Sequence, residues 1–486
     1  MQGEIRKVAG HSATYAVGVV AGGLGRVFLI PIVARFLSAD EYGIVALALA
    51  FVSLVGILMD LGLATSLVKF FSEAPDSRSK NRVASTILTS GVVSGLAFGL
   101  ILLPFGRFFS SFLFQRPDYV HFIYLGLGLA LASTLFRVAV GYYQALPAPS
   151  RYAAVSVAKG LLGIGAAALF VIYLGWGPAG FLMGMVVPPA LLALLLIPGI
   201  LRGVGLGFDA TGLRRFLRFG VPLVPSTFAM WGLTYCDIYL LGRLATLEEV
   251  GWYQMAQEIC LGMGLIMTAV QLAWPRFIFS HAKERTAPKA FALCADYYTA
   301  VLGFAGLALS VFAGEIILVI GSEAYAAAAT VIPYLCLATL LFALYGMFAS
   351  GVQISGRTEF MALTAAGGLI VNVVLNIWMI PRWGMTGAAV ASVFSNVAMC
   401  VAVLKISGRL YRIPFSAARI GGILILAIAL FALSRCAEGL GWLGWVLLAK
   451  AAIVFAFPAV VVFGFFSPEE RGKMLDFVRD LYYRGG

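Results

Sequence analysis

The sequence predicts an all-α polytopic membrane protein with about fourteen transmembrane helices, arranged as two parallel six-helix lobes plus two C-terminal helices. Three observations predict it. Hydrophobic residues make up 61% of the 486 and charged residues only 12%, giving a mean hydropathy of +0.97. A soluble domain of this length could not cover so much apolar surface with so few charges. The apolar residues also gather into long runs, most of them beyond the roughly 20 residues that cross a bilayer. Finally, the chain echoes itself. Arg35-Phe-Leu-Ser-Ala-Asp-Glu41-Tyr-Gly43 returns as Arg243-Leu-Ala-Thr-Leu-Glu-Glu249-Val-Gly251, and Trp176-Gly-Pro-Ala-Gly180 as Trp383-Gly-Met-Thr-Gly387. The offsets are 208 and 207 residues, and Met59 and Ser72 reappear as Met267 and Ser280. Two related halves in one apolar chain describe a transporter with two lobes around a shared central site.

The runs lie at about 12–36, 43–70, 83–106, 120–146, 152–174, 177–201, 216–242, 250–275, 291–320, 328–355, 360–380, 384–408, 415–434 and 441–466. Lipid offers no partner to a free backbone amide, so these runs must be helices, and the alternation of an outer-membrane barrel is absent. Met1-Gln-Gly-Glu-Ile-Arg-Lys7 carries two cations, but the first run is too long for a signal peptide and is expected to stay as the first span. All six cysteines (Cys236, Cys260, Cys294, Cys336, Cys400 and Cys436) lie in the second half without a CxxC pair. They read as packing residues and not as a disulfide or metal framework.

The net charge of +12 does not describe a nucleic-acid partner, because the cations follow the alternation of the loops. One side collects Arg6 and Lys7, Lys69 to Arg82, Arg202 to Arg218, Arg276 to Lys289, and Lys405 to Arg412, and the other only scattered arginines such as Arg35, Arg107 and Arg243. The positive-inside rule puts both termini in the cytoplasm. The expected organisation is an N-lobe over 1–202, a basic cytoplasmic linker over 203–217, a C-lobe over 218–412, two further helices over 413–466 and an amphipathic tail over 467–486. Six helices per repeat insert both lobes in the same orientation. In the tail, Ser467 and Pro468 followed by Glu469 and Glu470 form a helix-start signature.

Charges within the spans are expensive, about 2.5–3.5 kcal/mol at the bilayer centre, so each should face a cavity or a partner. Arg26, Arg137 and Lys159 are the anion-binding candidates, since an arginine fork donates two hydrogen bonds to a phosphate. For Arg26 the alternative is an ion pair with Asp60, and for Arg137 and Lys159 snorkelling to headgroups. Glu258, Asp60 and Asp237 are the candidates for coupling to H⁺ or Na⁺, with pairing to arginine or backbone as the alternative. Glu258 lies among Gln254, Gln257 and Gln271 at helical spacing, whereas Asp237 is expected nearer the outer interface and partly solvated. Asp296 and Lys450 are two further intramembrane charges, and Asn372, Asn376 and Asn396 are read as interhelical hydrogen-bonding groups.

The nine-residue echo is read as structural, Ser38 or Thr246 capping a helix with Glu41 or Glu249 three residues on. Gly91, Gly95 and Gly99 have the spacing of close helix contact, and Pro222 and Pro225 invite a bend. There is no GxxxxGK[ST] loop, no HExxH, no G-x-S-x-G and no paired histidine, so enzymatic chemistry finds no support.

Leu29-Ile-Pro-Ile-Val-Ala-Arg-Phe-Leu-Ser-Ala-Asp-Glu-Tyr-Gly43, Asp60-Leu-Gly-Leu63 and Asp237-Ile-Tyr-Leu-Leu-Gly-Arg-Leu-Ala-Thr-Leu-Glu-Glu-Val-Gly-Trp-Tyr253 resemble the Wzx-type polysaccharide flippases. These belong to the multidrug/oligosaccharidyl-lipid/polysaccharide exporter superfamily with the MATE drug exporters and the lipid II flippases. The resemblance implies a MATE-like fold and movement of an undecaprenyl-pyrophosphate-linked oligosaccharide between leaflets by alternating access. A cationic cavity would take the pyrophosphate, Arg26 matching best, and the last two helices would make a groove for the lipid tail. It implies no bound cofactor, and partners that include membrane lipids, a polysaccharide polymerase and a chain-length regulator. A lipid II flippase and a MATE-like antiporter of cationic drugs remain open, and a membrane glycan polymerase or ligase lacks its large external loop.

Overall fold

The computed structural model describes residue 32 and residues 34–146, 149–320, 322–437 and 443–471. Arg26 and most of the first predicted span therefore lie outside the described residues, as does the tail beyond Arg471. Among the described residues every regular element is helical. The α-helices of eight residues or more are α1 (Ala39–Asp60), α2 (Leu63–Glu73), α3 (Ser77–Leu102), α4 (Gly106–Phe114), α5 (Val120–Ala145), α6 (Pro149–Ala167), α7 (Gly177–Val204) and α8 (Ala210–Gly220). They continue as α9 (Val224–Leu244), α10 (Leu247–His281), α11 (Ala287–Val311), α12 (Ala313–Ile320), α13 (Ile332–Phe348), α14 (Glu359–Leu410), α15 (Ala417–Ala437) and α16 (Leu443–Phe465). Eleven helical segments among the described residues are long and apolar enough to cross a membrane. The chain is a multi-pass membrane protein of the expected all-α class.

Three departures from the simple run of spans have local causes. The second run breaks between α1 and α2, where Leu61 and Gly62 adopt φ values of 48° and 73°. The break lets the Asp60 carboxylate accept the Ala64 amide at 3.3 Å. It also lets Gly62 cross Gly220 so closely that a Cβ on Gly62 would lie 2.6 Å from the Gly220 carbonyl oxygen. The basic linker folds as α8, and Pro222 and Pro225 start the turn between α8 and α9 where a missing backbone donor costs least. The 52-residue α14 holds Gly384 at φ 54° and ψ −136°, a conformation that favours glycine, so two predicted spans share one kinked helix.

The chain divides into two compact units. One comprises residues 1–258, 318–328 and 365–395. Its helix α1 packs against α5 and α9, and α5 against α7, α2 and α3. Gly91 and Gly95 do what their spacing predicts: a Cβ there would lie 3.1 Å from Val138 and 2.8 Å from Leu131 of α5. Helix α8 is amphipathic and seats Phe216 among Leu67, Phe70 and Phe136, while Arg214, Arg215 and Arg218 keep part of their surface open. Burial of one such phenylalanine contributes about 1.5–3 kcal/mol.

The other unit comprises residues 259–317, 329–364 and 396–486. Here α15 and α16 pack on α11 through Leu307, Val311, Ile423, Val454 and Phe457. Two intramembrane charges of the sequence prove to be paired. Arg419 of α15 holds Asp296 of α11 at 2.9 Å and Glu470 at 3.1 Å, and Lys450 of α16 holds Glu315 of α12 at 2.7 Å. Ser467 and Glu470 form a capping box at the predicted helix start. The described cysteines are free thiols, Cys260 and Cys336 in contact at 3.5 Å.

The echoed turns cap helices as their spacing predicts. Ser38 accepts the Glu41 amide at 3.3 Å and Glu41 accepts the Ser38 amide at 2.9 Å. In the second copy Thr246 accepts the Glu249 amide at 3.2 Å, but the Glu249 carboxylate accepts the Met385 amide at 2.6 Å, beside the kink.

Candidate functional site

A cavity of about 200 Å³ opens within the first unit between α1, α5, α6, α7, α9 and α10. Its polar lining comes from Ser53 of α1, Ser133 and Arg137 of α5, Lys159 of α6, Tyr235 of α9, and Gln254 and Glu258 of α10. These helices are mostly apolar, so a polar residue on an inner face has nowhere cheaper to go than a shared polar space. Gly56 makes room for the arginine: a Cβ there would lie 3.2 Å from Arg137 Nη2. Lys159 Nζ sits 5.0 Å from the centre of the Phe136 ring, a cation–π contact that fixes an otherwise flexible ammonium. Glu258 Oε1 accepts Gln254 Nε2 at 2.8 Å, one helical turn away.

Three of the six sequence candidates thus line one cavity: Arg137, Lys159 and Glu258. Asp60 does not line it. Its carboxylate is buried at the end of α1, bonded to Ala64 and within electrostatic range of Arg137. Arg26 lies outside the described residues. Among the described lining residues two cations face one carboxylate, an arrangement that attracts an anion when water is scarce.

Asp237 stands apart and differs from its expectation. It is 4% exposed, not partly solvated, because three donors from α10 and α14 close over it. Tyr253 Oη donates to Oδ2 at 2.6 Å, Ser392 Oγ to Oδ2 at 2.5 Å, and Asn376 Nδ2 to Oδ1 at 2.7 Å. Asn376 Nδ2 also donates to Asn372 Oδ1 at 3.0 Å, and Asn372 Nδ2 to Ser392 Oγ at 3.3 Å. Asn376 does bridge helices, as the sequence predicts, but to a carboxylate, whereas Asn372 bonds within α14. Asn376 Oδ1 is buried without a hydrogen-bond partner, so the cluster has an acceptor to spare. Its oxygens are hard ligands of the kind that suit a small cation, although no group of three His, Cys, Asp or Glu that could hold a metal ion occurs among the described residues.

Sequence reasoning missed Ser53, Gly56, Ser133, Tyr235 and Ser392. Ser53 precedes Gly56 by three residues and Ser133 precedes Arg137 by four, a spacing that marks one helix face. Tyr235 and Ser392 carry no such signal.

The profile of a polysaccharide biosynthesis protein family matches residues 32–330 of the chain. A Shigella flexneri protein named "Putative O-antigen transporter" is 22% identical over 374 residues, covering 74% of this chain and 87% of that protein. Among solved structures, a lipid II flippase MurJ in an inward closed conformation superposes with a TM-score of 0.75 at 13% identity, covering 92% of this chain and 98% of its own. An inward-facing multidrug resistance MATE transporter superposes with a TM-score of 0.67 at 16% identity, covering 84% and 98%. At such identities these structures show the fold, which is MATE-like. With the family profile covering more than half of its residues, the chain belongs to the polysaccharide biosynthesis protein family.

Proposed function

We propose that the protein flips an undecaprenyl-pyrophosphate-linked oligosaccharide across the bacterial inner membrane by ion-coupled alternating access. The observation that carries this reading is the convergence of Arg137 and Lys159 on one cavity. The arginine fork and the ammonium would hold the two phosphates, Ser53, Ser133, Tyr235 and Gln254 would meet the first sugar, and the polyprenyl tail would stay in lipid. Arg26, expected near mid-span from the sequence, would add a third cation. A cation exporter would instead need an acidic cavity, and two cations against Glu258 weigh against it. The basic loops put both termini on the cytoplasmic side.

Coupling would rest on Asp237 more than on Glu258. A buried carboxylate ringed by Asn376, Ser392 and Tyr253 on helices α9, α10 and α14 can exchange a proton or Na⁺ for its donors, and so change how those helices pack. Glu258 would serve as the resident counter-charge of the cations, and Asp60 would hold Arg137 in place. The test is reconstitution in proteoliposomes with a tagged undecaprenyl-pyrophosphate oligosaccharide and an imposed Na⁺ or H⁺ gradient. The reading predicts movement that depends on one of the gradients and is lost in Arg137→Ala. Equal movement without either gradient would remove the coupling, and export of cationic dyes in place of the lipid would remove the substrate.

A further inference from the structure

The two copies of the nine-residue echo touch each other. Ala39 and Leu247 open α1 and α10, one residue after the capping hydroxyls, and Gly43 and Gly251 follow four residues later. A Cβ on Gly43 would run into the Leu247 carbonyl, 2.9 Å from its carbon, and a Cβ on Gly251 into the Ala39 carbonyl, 2.7 Å from its carbon. Equivalent atoms therefore meet reciprocally, first turn on first turn, with room only for hydrogen. The glycine at the end of each echo is needed for this crossing, which the capping chemistry alone does not require.

A second pair of contacts follows the same symmetry. Tyr325, from the second half, donates through Oη to the carbonyls of Leu37 at 2.9 Å and Ser38 at 3.1 Å. Gln115, from the first half, donates through Nε2 to the carbonyls of Gly242 at 3.0 Å and Arg243 at 3.2 Å. Each half thus hands one donor to the backbone at the other half's echoed turn, at the start of α1 in one case and in the last turn of α9 in the other. Within each half the turn is braced by its own second echo: the Glu41 carboxylate lies 3.3 Å from where a Cβ of Gly177 would be, and Glu249 holds Met385 beside Gly384. Gly177 and Gly384 share a positive φ, 53° and 54°. The links within a half use carboxylates. Those that cross between halves use a glycine backbone contact and neutral donors, which separate with little charge to uncover.

We propose that these reciprocal contacts are a clasp that closes the membrane face opposite the basic loops, and that its parting opens the transport path to that face. The proposal rests on the alternating-access reading given above. It assigns Gly43, Gly251, Gln115 and Tyr325 a positioning role remote from the cavity.

The test places spin labels on Asp40→Cys and Glu248→Cys, both exposed and 208 residues apart, in full-length protein whose six native cysteines are replaced. In lipid nanodiscs the parent should give mainly one short distance. Gln115→Ala with Tyr325→Phe should add a second, longer distance, and Gly43→Leu should make the longer one predominant. Gly251→Leu added to Gly43→Leu should change little more, since one wedge already parts both crossings. Gly128→Leu serves as the control, because nothing lies within 4 Å of a Cβ there. An unchanged distance in both the donor variant and a folded Gly43→Leu protein, or an equal shift in Gly128→Leu, overturns the clasp. A short bis-maleimide joining the two introduced thiols, in place of the spin labels, separates the two ideas. Full flipping with the cross-link in place refutes the clasp and leaves the transport reading standing. A clasp that opens in a protein that moves no lipid-linked oligosaccharide refutes the transport reading and leaves the clasp.

Discussion

Replacing Asp237 should separate stability from coupling. Its carboxylate accepts three bonds, from Tyr253, Ser392 and Asn376, at a position 4% exposed. Bonds to a charged group are worth about 1.5–3 kcal/mol each, so Asp237→Ala removes about 4.5–9 kcal/mol in gross terms. Asn376 keeps Asn372 and the two hydroxyls can turn, which places the expected loss near the lower end, about 4–5 kcal/mol. Asp237→Asn keeps one acceptor oxygen and the shape, and loses only about 1–3 kcal/mol. Equilibrium unfolding in mixed micelles reads the two numbers, and proteoliposome flipping under Na⁺ or H⁺ gradients reads the coupling. The asparagine protein should fold, yet flip at a rate indifferent to the gradients. An alanine variant within about 1 kcal/mol of the parent would refute the network's energetics, and an asparagine variant that still follows the gradient would refute its role.

Other perturbations have equally direct readouts. Arg419→Met strands Asp296, which is 3% exposed, and should cost about 3–5 kcal/mol; adding Asp296→Asn should recover most of it, a coupling that a double-mutant cycle of unfolding measures. Glu249→Ala frees the Met385 amide and should cost about 1–3 kcal/mol, with faster hydrogen exchange confined to residues around Gly384. Acid should loosen two helix starts. The Ser79 backbone amide and hydroxyl hold the Asp76 carboxyl below its ordinary value. Burial pushes Glu470 upward, but the Ser467 amide and Arg419 outweigh it and hold it below the ordinary 4.5. A carboxyl with a lowered folded pKa stabilises the fold above its unfolded pKa and loses that contribution as pH falls through the folded value. Exchange protection should therefore persist down to about pH 3.8 at Ser79 and about pH 4.5 at Ser467, and fall below those values; loss well above them, in the neutral range, would contradict this.

Much of the architecture was legible because lipid allows the backbone few choices. Apolar run length announced an all-α membrane fold, and Ser38 with Glu41 announced a cap that the structure contains. The α1–α2 break was not legible, since Leu61 at φ 48° is held by the crossing of Gly62 and Gly220, 158 residues apart in sequence. The site was half legible. Cost alone flagged Arg137, Lys159 and Glu258, but which face of α5, α6 and α10 each occupies depends on helix rotation, and that is set by partners such as Gly56 and Phe136. Asp237 was misjudged as partly solvated for the same reason: its nearness to Arg243 in sequence says nothing of Tyr253 and Ser392 folding over it. Conversely, Asp296 and Lys450 looked functional by cost and are paired with Arg419 and Glu315. The echo's glycines had a second use invisible in one copy alone, because each fits the other copy's carbonyl.

The account's central claim is that the cations of the cavity hold the phosphates of a lipid-linked glycan. It is tested most directly by the initial rate at which proteoliposomes flip a tagged undecaprenyl-pyrophosphate oligosaccharide, in the parent, Arg137→Ala, Lys159→Ala and the double variant. Each single loss should slow flipping at least about tenfold, the equivalent of one charge-assisted contact of about 1.4 kcal/mol. Arg137→Lys should retain part of the rate, and the double variant should fall below either single. A double variant that folds, inserts and flips at the parental rate would contradict the claim.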